Sequence, residues 1–195
     1  MKDSHPSTLR RRVQRSIGGL VAAGGVAALA FAAVPAMASP SAPSVKGPLA
    51  INGSVRGKAA LANAPKIPLD YRGVVTTSGV IDLGNGNATT HTLKTGAGNF
   101  VVTQSGKAQQ SQTENPKTCH IAFVEDLVVK LDPTKSTGRF AGATGTGAAQ
   151  ITFAGTNPRY TSGPHKGQCN FSENAEPTAK SAVATFVAAA VVTTH

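Results

Sequence analysis

The chain has 195 residues, with 19 Lys plus Arg against 9 Asp plus Glu, two Cys and no Trp. This length fits one modest domain with additional segments and excludes a multidomain enzyme. Charged residues make up 14% of the chain and aromatic residues 5%, which excludes a charged helical rod and favours a small Gly-rich β domain. The sequence contains no recognisable catalytic, metal or nucleotide-binding motif, so we expect no cofactor and favour a protein without enzymatic activity.

The first 38 residues predict a secretory signal peptide. Arginines at positions 10, 11, 12 and 15 precede residues 17–34, a stretch of eighteen residues without a charge. Ala36 and Ala38 supply the small side chains of a cleavage site, so we expect cleavage after Ala38. An uncleaved membrane anchor is the alternative, because a stretch of this length is near the lower limit for spanning a bilayer. The composition is typical of actinobacterial signals, and we expect a secreted product with no membrane span after cleavage.

Residues 39–68 have the composition of a disordered arm or linker. They contain five Pro and no acid, and their four bases are Lys46, Arg56, Lys58 and Lys66. Such a segment buries too little apolar surface to offset its ordering entropy. Its bases are suited to contact an anionic cell-wall polymer, and a solvated spacer is the alternative. The part from Leu69 onward carries ten bases against eight acids, which argues against a nucleic-acid partner.

From Leu69 onward, short apolar or β-branched runs alternate with Gly- and Asn-rich segments, including Asn85-Gly86-Asn87. The runs predict strands, and the segments between them predict turns. The predicted strands cover residues 71–77, 80–83, 88–94, 100–104, 118–131, 148–154 and 181–193. The last run also fits helical spacing, but β-branched residues fill about half of it, so we predict a strand.

About eight short strands without a convincing helix predict an all-β fold, either a sandwich or a closed antiparallel barrel. Closure removes the exposed strand edges that favour aggregation of an exported protein. We therefore predict a small antiparallel β-barrel over residues 69–195, preceded by the signal peptide and the disordered arm.

Cys119 and Cys169 are the only cysteines, and both follow the predicted signal peptide. In an oxidising compartment they are expected to form one disulfide, which attaches the loop at residues 157–170 to the long strand. A zinc site with His120 and His165 is the alternative. Adjacent strand residues point to opposite faces, however, so Cys119 and His120 are poorly placed to share one ion. His91 and His195 have no partner at ligand spacing and are expected on the surface.

The segment Gly138-Arg139-Phe140-Ala141-Gly142-Ala143-Thr144-Gly145 follows an apolar run that contains Phe123-Val124-Glu125-Asp126. The glycines permit a tight reversal, and Phe140 is placed to plug one end of a barrel. This order resembles the core segment of the allene oxide cyclase and dirigent barrels. The resemblance implies a barrel fold and, as an alternative function, an isomerase or cyclase. Nothing in residues 69–83 matches the cyclase Glu-x-Asn motif, so we carry over no catalytic residue.

Glu125 is the one candidate pocket residue. If residues 118–131 alternate without a bulge, Glu125 shares an otherwise apolar face with Phe123 and Leu127, where a carboxyl is a candidate acid or ligand anchor. The favoured alternatives are a bulge that turns Glu125 outward, or an inward-facing Arg or Lys partner. As a whole, the sequence predicts an exported barrel that binds a small apolar ligand at its mouth or associates with the cell envelope.

Overall fold

The computed structural model of the protein describes residues 44–62, 65–83, 89–172 and 175–195. The predicted signal peptide and the predicted turn at residues 85–87 lie outside these ranges. Within them, the only helical elements are two short 3-10 segments, Gly57–Ala59 and Gly138–Phe140. No helix in these ranges is long and apolar enough to cross a membrane.

The fold is a closed antiparallel β-barrel, as predicted. Its strands are β1 (Val45–Arg56), β2 (Lys66–Gly73), β3 (Thr77–Asp82), β4 (Thr90–Thr95), β5 (Gly98–Gln104), β6 (Gln109–Asn115), β7 (His120–Leu131), β8 (Thr144–Thr156) and β9 (Val183–Thr194). Eight strands form the ring in the order β5-β4-β3-β2-β1-β9-β8-β7, and β5 pairs again with β7 to close it. The ninth strand, β6, is added to the edge of β7.

β1 and β2 show that the prediction of a disordered arm over residues 39–68 is wrong from Val45 onward. β1 pairs with β9 along all of its twelve residues. Leu49 and Ile51 are buried inside the barrel, whereas Ala50 between them is exposed. The Pro, Gly and Lys content of the segment masks this two-residue alternation, which is the pattern of a half-buried strand. The barrel therefore begins at Val45 and not at Leu69.

The strands predicted after Leu69 are confirmed in part. The predicted strand over residues 71–77 is wrong, because the chain leaves β2 at Gly73 and starts β3 at Thr77. A side chain at residue 73, where φ is 127°, would collide with the carbonyl of Pro48, which accepts the N–H of Val74 at 3.0 Å. β7, β8 and β9 are confirmed as strands, and the polar strand β6 was not predicted.

The interior of the barrel is filled by alternate side chains of the eight strands, since a barrel of this size leaves little space at its axis. Tyr71 on β2 is only 1% exposed, and its ring lies against Gly79 of the neighbouring β3. Its hydroxyl has no hydrogen-bond partner among the described residues. Burial raises the pKa of Tyr71 well above its ordinary value, so this side chain is neutral at physiological pH.

The segment at residues 132–139 closes the barrel along one edge of β5, where no strand of the described ranges pairs with residues 98–101. The N–H of Val101 donates to Oγ of Ser136 at 3.1 Å, and the N–H of Thr137 donates to the carbonyl of Asn99 at 2.9 Å. These bonds replace the strand ladder along one edge of β5. A loop thus supplies the hydrogen bonds that a neighbouring strand would otherwise make.

The Gly- and Phe-containing turn forms the floor of the barrel at this end. Phe140 is fully buried, and its ring lies edge-on to that of Phe100 with the centroids 5.2 Å apart. Gly138 has a φ of 63°, and a side chain there would collide with the carbonyl of Ala97. Gly142 also has a positive φ, whereas Gly145 already belongs to β8. The motif is therefore a structural turn that holds Phe140 beneath the core.

Cys119 and Cys169 form a disulfide, with an S–S distance of 2.00 Å and Cα atoms 5.1 Å apart. The predicted pairing is confirmed, and the zinc alternative is wrong because the disulfide uses both sulfurs. The bond attaches the loop at residues 157–170 to the start of β7. Arg159 within that loop donates to the carbonyls of Lys117 and Gly167, each at 2.7 Å.

Candidate functional site

The candidate site is a cavity inside the barrel above Phe100. Of the residues that the structure describes, fifteen line it, and His91 is the only polar one among them. The empty volume is about 470 Å³ and extends into solvent, but only about 20 Å³ is available to the centre of a water-sized molecule. The enclosed part therefore has room for about one water. A larger ligand must extend into the open part or displace side chains.

His91 lies on the inward face of β4, two residues before the buried Leu93, and pairs across the ladder with Val102 of β5. It is half-buried and lines the cavity, so the prediction of a surface residue is wrong. Burial lowers the pKa of His91 below its ordinary value of 6.5, and the nearby carboxylate of Glu125 partly offsets this. At neutral pH the imidazole is therefore uncharged, with one nitrogen donating and the other accepting.

Glu125 lies on the inward-facing side of β7. The pairing of β7 with β8 continues without a break from His120 to Lys130, so the alternative of a bulge is wrong. Glu125 is nevertheless only partly buried, because the strand beside it is polar. Nε2 of Gln110 on β6 donates to Oε1 of Glu125 at 3.0 Å. Its partner is thus an amide, not the inward-facing Arg or Lys of the other alternative.

The barrel wall is interrupted next to these side chains. β5 pairs with β7 through only three residue pairs, which end at Gln104 and Val129. Beyond that point β7 pairs with β6, and within the described ranges the other edge of β6 has no strand partner. His91 is the second residue of β4 and pairs with Val102 of β5, which belongs to this three-residue ladder. Glu125 lies beyond the other end of the ladder, where β7 pairs with β6. The two polar side chains therefore flank the short ladder.

The chemistry of this arrangement is that of an apolar pocket with a polar entrance. A neutral imidazole and a carboxylate lie close enough for an electrostatic interaction, and such a pair can orient a polar ligand group or move a proton. Among the residues that the structure describes, no three His, Cys, Asp or Glu side chains group closely enough to hold a metal ion.

The structure brings together one predicted site residue and one that the sequence analysis missed. Glu125 lies near His91, whereas the disulfide and the structural turn lie elsewhere. Phe140 is linked to the site through Phe100, which it supports from below and which lines the cavity. The alternation Thr90-His91-Thr92-Leu93 was the available signal for His91, because it places the imidazole on the same face as the buried leucine. His195 is exposed, as predicted.

Comparison with known proteins does not identify a family for this chain. No protein-family model, curated protein or solved structure matches the chain. The resemblance to the allene oxide cyclase and dirigent barrels therefore rests on the motif around Phe140 and on the segment containing Glu125. The candidate site is assigned from its own side chains.

We expect Glu125→Gln to lower the pKa of His91 further, because the substitution removes the negative charge that favours the imidazolium. NMR titration of the His91 ring measures this shift. Glu114→Gln, which removes a carboxylate from β6, is the matched control and should leave the pKa of His91 unchanged. Equal pKa values in both variants would contradict the placement of Glu125 beside His91.

The lowered pKa of His91 also determines how the stability of the fold changes with pH. As the pH falls below 6.5, the unfolded chain takes up a proton at this residue before the folded chain does. The stability contributed by the neutral imidazole is therefore present above pH 6.5 and lost as the pH falls through the folded-state pKa.

Proposed function

We propose that this chain is an exported β-barrel that binds a small, largely apolar molecule. The observation that carries the proposal is the cavity in which His91 is the only polar side chain among the described lining residues. Ligand pockets in proteins combine apolar walls with a few polar groups that fix orientation. Because the enclosed part has room for about one water, the apolar body of the ligand would displace side chains of the wall or extend through the open part. The neutral imidazole would bond to its single polar group.

The charge at the entrance limits the class of ligand. Glu125 places a carboxylate next to His91, and within the lining set no Lys or Arg offers a counter-charge. A ligand with a carboxylate or phosphate at this position would face a like charge, which disfavours it. The proposal is therefore a neutral ligand with one hydroxyl, carbonyl or amide.

Filling the cavity tests the proposal. Ala149 on β8 lines the cavity, and Ala149→Leu places three further carbons in it. We expect isothermal titration with a panel of neutral lipids and aromatic metabolites to detect binding to the unaltered protein and at least about tenfold weaker binding to this variant. Ala141→Leu makes the same change at an exposed position and should bind normally. No heat from any compound, or equal binding by both variants, would contradict the proposal.

An isomerase or cyclase is the second candidate, and the proximity of His91 and Glu125 to the cavity favours it. In such an enzyme the pair would exchange a proton with an apolar substrate. Glu125→Gln should then abolish turnover while the urea midpoint of unfolding stays the same. Full turnover in that variant would exclude this role of Glu125.

Association with an anionic cell-wall polymer is a separate proposal. The fold changes its form, because two of the bases lie on a strand of the barrel and not on a free arm. Lys46 and Arg56 belong to one strand and lie ten residues apart, which separates them by about 33 Å. Deleting residues 39–68 would remove β1, so it is not a usable test. If Arg56 and Lys58 bind the polymer, replacing both by Gln should reduce salt-sensitive retention on purified walls. Unchanged retention would reject that contact.

A further inference from the structure

The outer face of β9 is apolar as well as its inner face. Val187 and Val191 point outward and are 53% and 54% exposed, and the exposed Ala189 lies between them. Ala189 pairs with Ala50 of β1 on one side and with Ala148 of β8 on the other. Both of these alanines are also exposed. The result is a patch of small and branched apolar side chains centred on Ala189.

The surface around this patch is almost free of charge. Five successive rows across β1, β9 and β8 present fifteen outward positions, of which only Lys46 is charged. These positions, called here the β9 face, are Lys46, Pro48, Ala50, Asn52, Ser54, Thr185, Val187, Ala189, Val191, Thr193, Thr144, Thr146, Ala148, Gln150 and Thr152. The sixth row, at one end of these strands, contains the exposed Arg56 of β1. Charged residues return on the flanking strands, at Asp70 and Arg72 of β2 and at Asp126 and Lys130 of β7. Depletion of charge at the centre with charge at the rim is the composition of a protein interface.

We propose that the β9 face is the contact between two copies of this chain, related by a two-fold axis that passes close to Ala189. A two-fold contact requires a patch that is complementary to itself. Here the valines at 187 and 191 stand symmetrically about Ala189, and the alanines at 50 and 148 flank it across the ladder. When two sheets pack at the usual angle of about −30°, the apolar strip of Val187, Ala189 and Val191 on one copy lies across the same strip on the other.

The size of the β9 face also fits a second copy. Three strands by five outward residues span about 480 Å² in projection. Accessible area exceeds projected area because side chains also present their flanks. The face therefore supplies most of the roughly 800 Å² per partner that a stable dimer buries.

Cross-linking tests the position of the axis. Ala189→Cys adds one free thiol, because both natural cysteines are paired. With a short thiol-reactive bis-maleimide, we expect the variant to form a covalent dimer at least about tenfold faster than Val80→Cys. Val80 is an exposed valine on the outer face of β3, outside the β9 face. Equal rates for the two variants overturn the proposal.

Sedimentation equilibrium of the protein, as purified from the cells that make it, tests the contact without a cross-linker. We expect a dimer, and Val187→Lys should raise its dissociation constant at least about tenfold because a charge would be buried. Val80→Lys, the matched control, should leave it unchanged. A monomeric unaltered protein overturns the proposal. If Val187 and Val191 in that monomer are shielded from carbene labelling, the segment before Ser44 covers the face instead.

Discussion

Replacing both Cys119 and Cys169 by Ala is expected to lower the free energy of unfolding by about 4 kcal/mol. The disulfide closes a loop across a separation of 50 residues. In the chain-entropy model, loss of this constraint raises the conformational entropy of the unfolded chain, which stabilises the unfolded state by about 4 kcal/mol. Urea denaturation of the variant and of the unaltered protein measures the difference. Alanine is the appropriate replacement, because residue 119 has a φ of 59° and glycine there would relieve strain at the same time.

Reduction of the unaltered protein by dithiothreitol is the control for the double substitution and should give a similar loss. The loop at residues 157–170 is expected to become the preferred site of proteolysis, since only hydrogen bonds, including those of Arg159 and Asn157, then hold it. A loss below about 1 kcal/mol would show that the native loop is held by these bonds and not by the disulfide.

Phe140→Ala is expected to lower the free energy of unfolding by about 3–5 kcal/mol. The ring is fully buried in the floor of the barrel and lies edge-on to Phe100, so its removal leaves a cavity and one unpaired aromatic ring. Chemical denaturation measures the loss. Because Phe100 also lines the candidate site, ligand binding should weaken in the same variant.

Phe140→Leu separates the two contributions of this ring. Leucine retains most of the apolar volume and loses the aromatic contact, which is worth about 0.5–1.5 kcal/mol. The leucine variant should therefore lose much less stability than the alanine variant. Equal losses would mean that packing volume at this position matters little, which would contradict its assignment as the floor of the barrel.

The sequence was sufficient to predict the fold class, because most strands carry an unmistakable two-residue alternation or a continuous apolar run. β9 is the clearest case. Its residues fit a helix and a strand equally in hydrophobic spacing, and the β-branched side chains correctly favoured the strand. The disulfide was predictable for a different reason, since two cysteines have only one intramolecular pairing.

Two strands were missed because their amino-acid composition is not typical of a strand. β1 has the Pro and Lys content of a linker, yet pairs with both β2 and β9. β6 consists of polar residues and is stabilised by its ladder with β7, not by burial. Whether a segment pairs with a neighbouring strand depends on the whole barrel, so the composition of that segment alone does not predict it.

Of the two polar residues of the candidate site, the sequence predicted Glu125 and not His91. Glu125 was identified from its position on the apolar face of a long strand, which the unbroken register of β7 with β8 retains. Its hydrogen bond to Gln110 depends on β6, which was missed. The interaction with His91 joins strands that are distant in sequence and meet only because the barrel closes. No spacing rule within the chain connects residues 91 and 125.

Native mass spectrometry of the protein purified from its producing culture tests the central claim, that the barrel carries a small apolar ligand beside His91. We expect a reproducible extra mass on the unaltered protein that disappears under denaturing conditions and is absent from Ala149→Leu. A bare mass for the unaltered protein, or the same extra mass on Ala149→Leu, would contradict the claim.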